Sequence, residues 1–160
     1  MIHHPFPPLF DKNSKVLILG SFPSVRSREQ MFFYGHPQNR FWRVLAEVLG
    51  EVCPLSIEEK REMLLRRHIA LWDVIGSCDI VGSADSSIRN VLPNDLTAIF
   101  AAADIRAVFV NGKTALRYYE KYQYPLHGRE AICLPSTSPA NAAFGIERLV
   151  AAWHEILLYL

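Results

Sequence analysis

Apolar residues along this chain fall into two patterns, short unbroken runs and stripes at helical spacing. Val16–Gly20, Ala131–Leu134 and the segments 69–72 and 105–110 are short apolar runs rich in branched side chains. Runs of this kind read as strands buried on both faces, the signature of a parallel sheet. Between them, Phe41, Trp42, Leu45, Val48 and Leu49 recur at helical spacing, and Gly50 is placed to end that helix. Ser56-Ile-Glu-Glu59 is a capping box that opens a helix to about residue 68. Further helices are predicted from Pro93 or Asn94 through 103, over 112–122, and over 146–160. In the last of these, Leu149, Val150, Trp153, Ile156 and Leu157 share a face.

Pro5, Pro7 and Pro8 make residues 1–14 an extended arm, and 20–38, 73–92 and 135–145 read as irregular segments. Strands alternating with helices predict an α/β fold, three layers with a central four-stranded, mainly parallel sheet. All 160 residues are expected to form one domain. Ligands of such sheets bind at the carboxyl ends of the strands. That rule gathers the loop after Gly20, the loop after Trp72, Asn111-Gly112 and the 135–141 segment into one site.

Composition narrows the class without changing this picture. Half the residues are apolar, as in a folded globular protein, and 17 basic residues against 16 acidic leave a net charge of +1. Any basic footprint must then be local, with Arg26, Arg28, Arg40 and Arg43 clustered early and Arg89, Lys113 and Arg117 later. Cys53, Cys78 and Cys133 are odd in number and widely spaced, so reduced, partly buried thiols are expected. No signal peptide and no apolar stretch of membrane-spanning length is present, so a cytoplasmic protein is expected. The histidines, including the terminal pair His3-His4, lack metal-ligand spacing, and no nucleotide-binding glycine motif occurs, so no metal or cofactor is expected.

Five segments could carry chemistry. In Gly20-Ser-Phe-Pro-Ser24, Gly20 permits close backbone approach to a ligand, and Pro23 stiffens the turn. In the stretch 32–42, Tyr34, His36 and Asn39 stand among aromatic residues, a combination suited to stacking on a base and reading its edge. Asn39 is equally placed to cap the helix that follows. Asn111 at a strand tip can make two hydrogen bonds to a base edge, or simply cap the strand; Lys113 at a helix start opposes the dipole unless an anion offsets it. Ser136, Thr137 and Ser138 lie between prolines and offer donors to phosphates, or form a solvated turn. Asp73 is a candidate general base that could alternatively pair with Arg89.

The order and spacing of these segments resemble the uracil-DNA glycosylase superfamily. The mismatch-specific members show a strand, a G-x-N-P-G loop, a serine, then H-P-x-N-R-F-W. Here the corresponding residues are Val16–Gly20, Gly20 to Ser24, Ser27, and His36-Pro-Gln-Asn39-Arg-Phe-Trp42. Gly112-Lys-Thr-Ala115 and Leu134-Pro135 to Ala140 follow in the family's order. Phe22 replaces the amide that orients water in that group, and the Gly-Ser-Phe-Pro-Ser sequence is similar to the hypoxanthine-DNA glycosylases.

The resemblance implies a monofunctional hydrolase, acting as a monomer on damaged double- or single-stranded DNA, with no membrane partner, in a cytoplasm or nucleoid. Hypoxanthine is the implied base, flipped into the pocket, with an abasic site as product. Asn39 is the implied catalytic amide. Gly20, Ser21, Phe22, Pro23, Tyr34, His36 and Asn111 would form the base pocket, with Phe22 stacking. Ser24, Ser27, Lys113, Ser136, Thr137 and Ser138 would meet the DNA backbone, with Asp73 and Arg89 auxiliary. A mismatch-specific uracil or thymine glycosylase is the alternative within the fold. A non-catalytic lesion binder is the alternative outside catalysis. Ala140 stands where relatives carry a bulky wedge.

Overall fold

The computed structural model describes residues 1–160. Its centre is a parallel sheet of β2 (Val16–Gly20), β3 (Ile69–Asp73), β6 (Ala107–Asn111) and β7 (Ala131–Leu134), in the spatial order β3-β2-β6-β7. The four strands are the four apolar runs, and the registers pair Val16 with both Ile69 and Ala107. Leu17, Ile18 and Leu19 of the central strand are fully buried because helices cover both faces.

On one face, α2 (Phe41–Leu49), α3 (Ile57–Arg66) and α7 (Ile146–Trp153) pack through Phe41, Leu45, Leu64 and Trp153. On the other lie α4 (Thr97–Ala102) and α5 (Lys113–Tyr122), packed through Ile99, Ala115 and Tyr119. The caps follow the sequence: Ser56 Oγ accepts from Glu59 N at 3.0 Å, and Gly50 takes the left-handed conformation that ends α2. The tyrosines of α5 do cover the sheet, since Tyr118 and Tyr119 are buried. A short helix α6 (Tyr124–His127) follows α5, and the chain ends in a 3-10 turn after α7.

Several expectations need correction. The 73–92 segment is not a loop: β4 (Ile75–Asp79) and β5 (Arg89–Pro93) form an antiparallel hairpin. The N-terminal arm is not free. Its β1 (Ile2–His3) pairs with β4, and Leu9 bridges to Leu71 beside β3. The 20–38 segment holds a helix, α1 (Val25–Gln30), capped by Ser24. The helix expected from Pro93 or Asn94 starts only at Thr97, because Pro93 closes the hairpin ladder and Asn94 is turned inward. Helix α3 stops at Arg66, and His68 takes a positive φ before the next strand. Of the three thiols Cys78 is buried, but Cys133 is exposed.

The hairpin is tied to the main sheet by two buried amides. Asn94 Nδ2 donates to the carbonyls of Asp73 and Ile75 at 2.8 and 3.1 Å. Gln123 Nε2 donates to the Asn94 carbonyl at 2.7 Å. Replacing Asn94 by Ala leaves two interior carbonyls without a donor, so Asn94→Ala should lower unfolding free energy by about 1–3 kcal/mol in urea denaturation.

Candidate functional site

The carboxyl ends of β2, β3 and β6 open into a cleft of about 540 Å³, within the range of roughly 300–1,000 Å³ usual for small-ligand pockets. The loops after β2 and β7 and the tip of the β4–β5 hairpin wall it. Gly20, Ser21, Phe22, Pro23, Ser24, Tyr34, His36, Asn39, Asp73 and Asn111 line it together with Ser136, Thr137 and Ser138. Residues separated by more than a hundred positions in sequence thus meet at one place, as the strand-end rule predicts.

Asn39 is held from two sides. Its Oδ1 accepts from Phe41 N at 2.9 Å and from Thr137 Oγ1 at 2.8 Å. The helix begins one residue later than the capping expectation, with Arg40 as N-cap, yet the Asn39 side chain still satisfies the first helical N–H. Only an oxygen can accept from Phe41 N, so the amide orientation is fixed. Both acceptor sites of Oδ1 are engaged, and the Nδ2 donors are free of protein partners.

Thr137 carries the link onward. Its Oγ1 accepts from Asn111 Nδ2 at 3.0 Å, and its N–H donates to Asn111 Oδ1 at 3.0 Å. Asn111 therefore keeps one N–H and one lone pair for a ligand. Thr137 is fully buried, which corrects its expected place on the DNA backbone: the hydroxyl is inside the amide network. Ser27 lines the cleft but is likewise buried, its Oγ accepting from Gly35 N at 2.9 Å, so its hydroxyl braces the turn.

Arg40 belongs to the early basic cluster and to the Asn39 motif, and its role in the structure is to hold a loop. Its guanidinium lies under the 136–144 loop and donates to the carbonyls of Phe144, Ser138 and Asn141, the last two at 3.0 and 3.1 Å. Its position beside Asn39 in the motif was the available signal. Arg89 and Lys113 stand outside the cleft. Arg89 donates to the carbonyls of Ser86 and Ile88, so the suggested Asp73–Arg89 pair does not form. Asp73 instead meets His4, whose Nε2 lies 2.7 Å from Asp73 Oδ2.

The cleft lining holds two carboxylates, Asp73 and Asp85, and no lysine or arginine. Asp85 sits on the hairpin tip, exposed on its outer side, with its carboxyl turned inward to accept from Ser21 Oγ at 3.3 Å. Burial of that carboxyl, and then the charge of Asp73, push its pKa upward against the pull of Ser21 and Arg117. Tyr34 takes a positive φ of 51° and stacks on Phe41 at 4.0 Å. Burial first, and Asp73 second, raise its pKa, so its hydroxyl stays protonated. Phe22 presents a ring to the cleft with the Arg28 guanidinium 5.7 Å from its centroid. His36 stands in the wall, its Nδ1 accepting from Gln38 N at 3.1 Å.

A cleft of amides, hydroxyls and aromatic rings at strand ends fits a base and a backbone better than it fits a nucleotide cofactor's phosphates. Comparison with known proteins agrees. The family model of the uracil DNA glycosylase superfamily matches residues 7–157. A hypoxanthine DNA glycosylase of Methanosarcina acetivorans is 35% identical over 150 residues, covering 92% of this chain and 94% of that protein. A second, from Methanosarcina barkeri, is 35% identical over 138 residues, covering 85% and 86%. The solution NMR structure of a candidate uracil DNA glycosylase from Methanosarcina acetivorans superposes with a TM-score of 0.80 at 33% identity, covering 98% of this chain and 99% of that one. With the motif stretch from Gly20 to Trp42, the strand order and the whole length of the chain in agreement, the protein belongs to the uracil DNA glycosylase superfamily.

Proposed function

We propose that this enzyme removes hypoxanthine from DNA by hydrolysing the N-glycosidic bond of deoxyinosine. The observation that carries the reading is the fixed Asn39 amide, aimed by Thr137 and Phe41 so that its donors face a base-sized cleft. The relatives bearing the hypoxanthine glycosylase name support the choice of base. Phe22, where mismatch-specific members carry an amide, favours a stacking wall over a second water-holding group.

The flipped nucleotide enters with its base against Phe22 and its edge toward Asn111. The C1′–N9 bond breaks with its electron pair leaving on the base, water adds its oxygen to C1′, and the proton that water sheds is balanced by the one the departing base anion takes up, giving free hypoxanthine and an abasic site. The sugar is cationic at the top of this path. Asp85 places negative charge where that cation develops. Asn39 Nδ2 donates to the water oxygen or to the departing base. In either case Asn39 acts as a donor, because its Oδ1 is unable to take the water's proton while Thr137 and Phe41 hold it. Ser136, Ser138 and Ser24 at the rim, with Lys113 beyond it, meet DNA phosphates. The protein acts as a monomer on duplex or single-stranded DNA. No helix is long and apolar enough to cross a membrane, and we place its action in the cytoplasm or at the nucleoid.

Duplexes carrying one inosine, uracil, xanthine or G:T mismatch, treated with the protein and then alkali, test the reading. Inosine should be cut fastest, and no cleavage of any duplex above background would end it. Asn39→Ala should lower the single-turnover rate by about 100- to 1,000-fold, as for other removed transition-state donors. Asn39→Asp keeps both held acceptor contacts and loses the donors, so it should be equally slow; retention of activity in that variant would make the oxygen the working atom. Because the Asp85 pKa is raised, this group takes up its proton at a higher pH than an ordinary aspartate, and its anion is lost as pH falls. The rate should therefore decline on the acid side above the usual carboxylate range. Asp85→Asn should flatten that limb and lower the plateau by about 10-fold, measured as a single-turnover pH profile.

A further inference from the structure

The proposed mechanism leaves one built feature at the cleft floor unused. His4 is brought there by the N-terminal arm: β1 pairs with β4, and His4 N donates to the Gly76 carbonyl at 2.7 Å. Its side chain is only 2% exposed and packs against Phe6, Phe22 and Trp72 at centroid distances of 4.5, 6.1 and 5.8 Å. With its proton on Nε2, it donates to Asp73 Oδ2 at 2.7 Å. This is the side-chain partner of an aspartate that is itself 6% exposed and lines the cleft.

Asp73 does not need that carboxylate to hold its own turn. The turn is closed through the backbone: Val74 N donates to the Gly20 carbonyl at 2.8 Å, and the Asp73 carbonyl accepts from Asn94. With Oδ2 fixed by His4, Oδ1 stands over Gly20. A methyl group on Gly20 would come within 2.5 Å of Asp73 Oδ1 and 2.9 Å of the Tyr34 hydroxyl, so glycine is what leaves this oxygen room. The Tyr34 hydroxyl keeps its proton. The anionic acceptor at the floor is Asp73.

Deamination of adenine changes the polarity of the base edge. The ring nitrogen N1 is a bare acceptor in adenine and an N–H donor in hypoxanthine, and the exocyclic amine becomes a carbonyl. A carboxylate accepts only, so it pairs with the N1–H of the deaminated base and meets the N1 lone pair of adenine with repulsion. We propose that Asp73, anchored by His4, is the specificity-determining acceptor that selects bases bearing an N–H at this edge over adenine. His4 is a positioning residue. The inference rests on the glycosylase reading above.

The experiment compares single-turnover excision from duplexes carrying deoxyinosine or deoxynebularine, a purine with a bare N1 and no 6-substituent. Asp73→Asn turns the acceptor into a donor at nearly constant shape. Inosine excision should fall about 10- to 100-fold, the worth of a hydrogen bond to a charged group, while nebularine excision holds or rises. An equal loss on both substrates, or no loss on either, overturns the proposal. Should Asp73→Asn fail to fold in a thermal melt, the arm supplies the second test. His4→Phe should shrink the inosine-to-nebularine rate ratio and His4→Gln, which retains a donor, should largely restore it; unchanged ratios in both overturn the proposal. A wild-type protein inert on every lesion removes the glycosylase reading and this inference with it. A wild-type protein active on inosine, with variant ratios unmoved, removes this inference alone.

Discussion

The hydroxyl of Thr137 is the point on which the site depends. It donates to Asn39 Oδ1 and accepts from Asn111 Nδ2, joining the motif before α2, the tip of β6 and the loop after β7. A hydroxyl has one proton, so once it points to Asn39 the rest of the network has a single consistent arrangement. Asn111 must turn its nitrogen to Thr137, and its oxygen is then free to accept from the Thr137 N–H. Burial makes the arrangement firm, because any other orientation would leave interior polar atoms unpaired. Arg40 acts on the same loop from below, and Arg40 N donates to the Thr137 carbonyl at 3.1 Å. A side chain that looks like a DNA contact in the sequence is therefore part of the scaffold that aims the amide.

The central sheet was legible because its strands are buried on both faces and so are written as continuous apolar runs. The flanking hairpin was not. Ile75-Gly-Ser-Cys-Asp79 interleaves small and polar residues, and Arg89-Asn-Val-Leu-Pro93 is half exposed and ends in proline. Such strands owe their existence to partners: β1 on one edge, and the amides of Asn94 and Gln123 against α5. Local propensity carries little of that information. Helix α1 was hidden for a related reason, since its six residues Val25–Gln30 bury only Ser27 and show no apolar stripe.

At the site, the sequence placed the amides and the Gly20 loop in one cleft because strand-end geometry is a property of the fold. Which atom of each residue faces the ligand was not readable. Asn39 as cap and Asn39 as catalyst looked like competing roles, and the geometry makes them compatible: the cap uses Oδ1 and leaves Nδ2 without a protein partner. His4 left almost no trace, lying 69 positions from Asp73 among prolines that suggest a loose arm. The apolar Phe6 and Leu9, both buried, were the one hint that the arm packs.

The distribution of charge closes the account. A net charge of +1 gives the protein no strong field for DNA, and the cleft itself holds carboxylates only. An acidic pocket repels a phosphate and attracts a developing sugar cation, so the proposed mechanism separates affinity and chemistry in space. In the proposed reading, backbone contacts fall to hydroxyls and outlying cations at the rim, where charge is screened and positions more than it binds. On that mechanism the interior keeps its electrostatics for the moment of bond breaking, when each fixed dipole acts at low dielectric. Burial, and then the charge of Asp73, push the Asp85 pKa upward. In the proposed mechanism a cationic sugar beside that carboxyl belongs to the transition state and not to the substrate, which is the difference through which such a site gains rate.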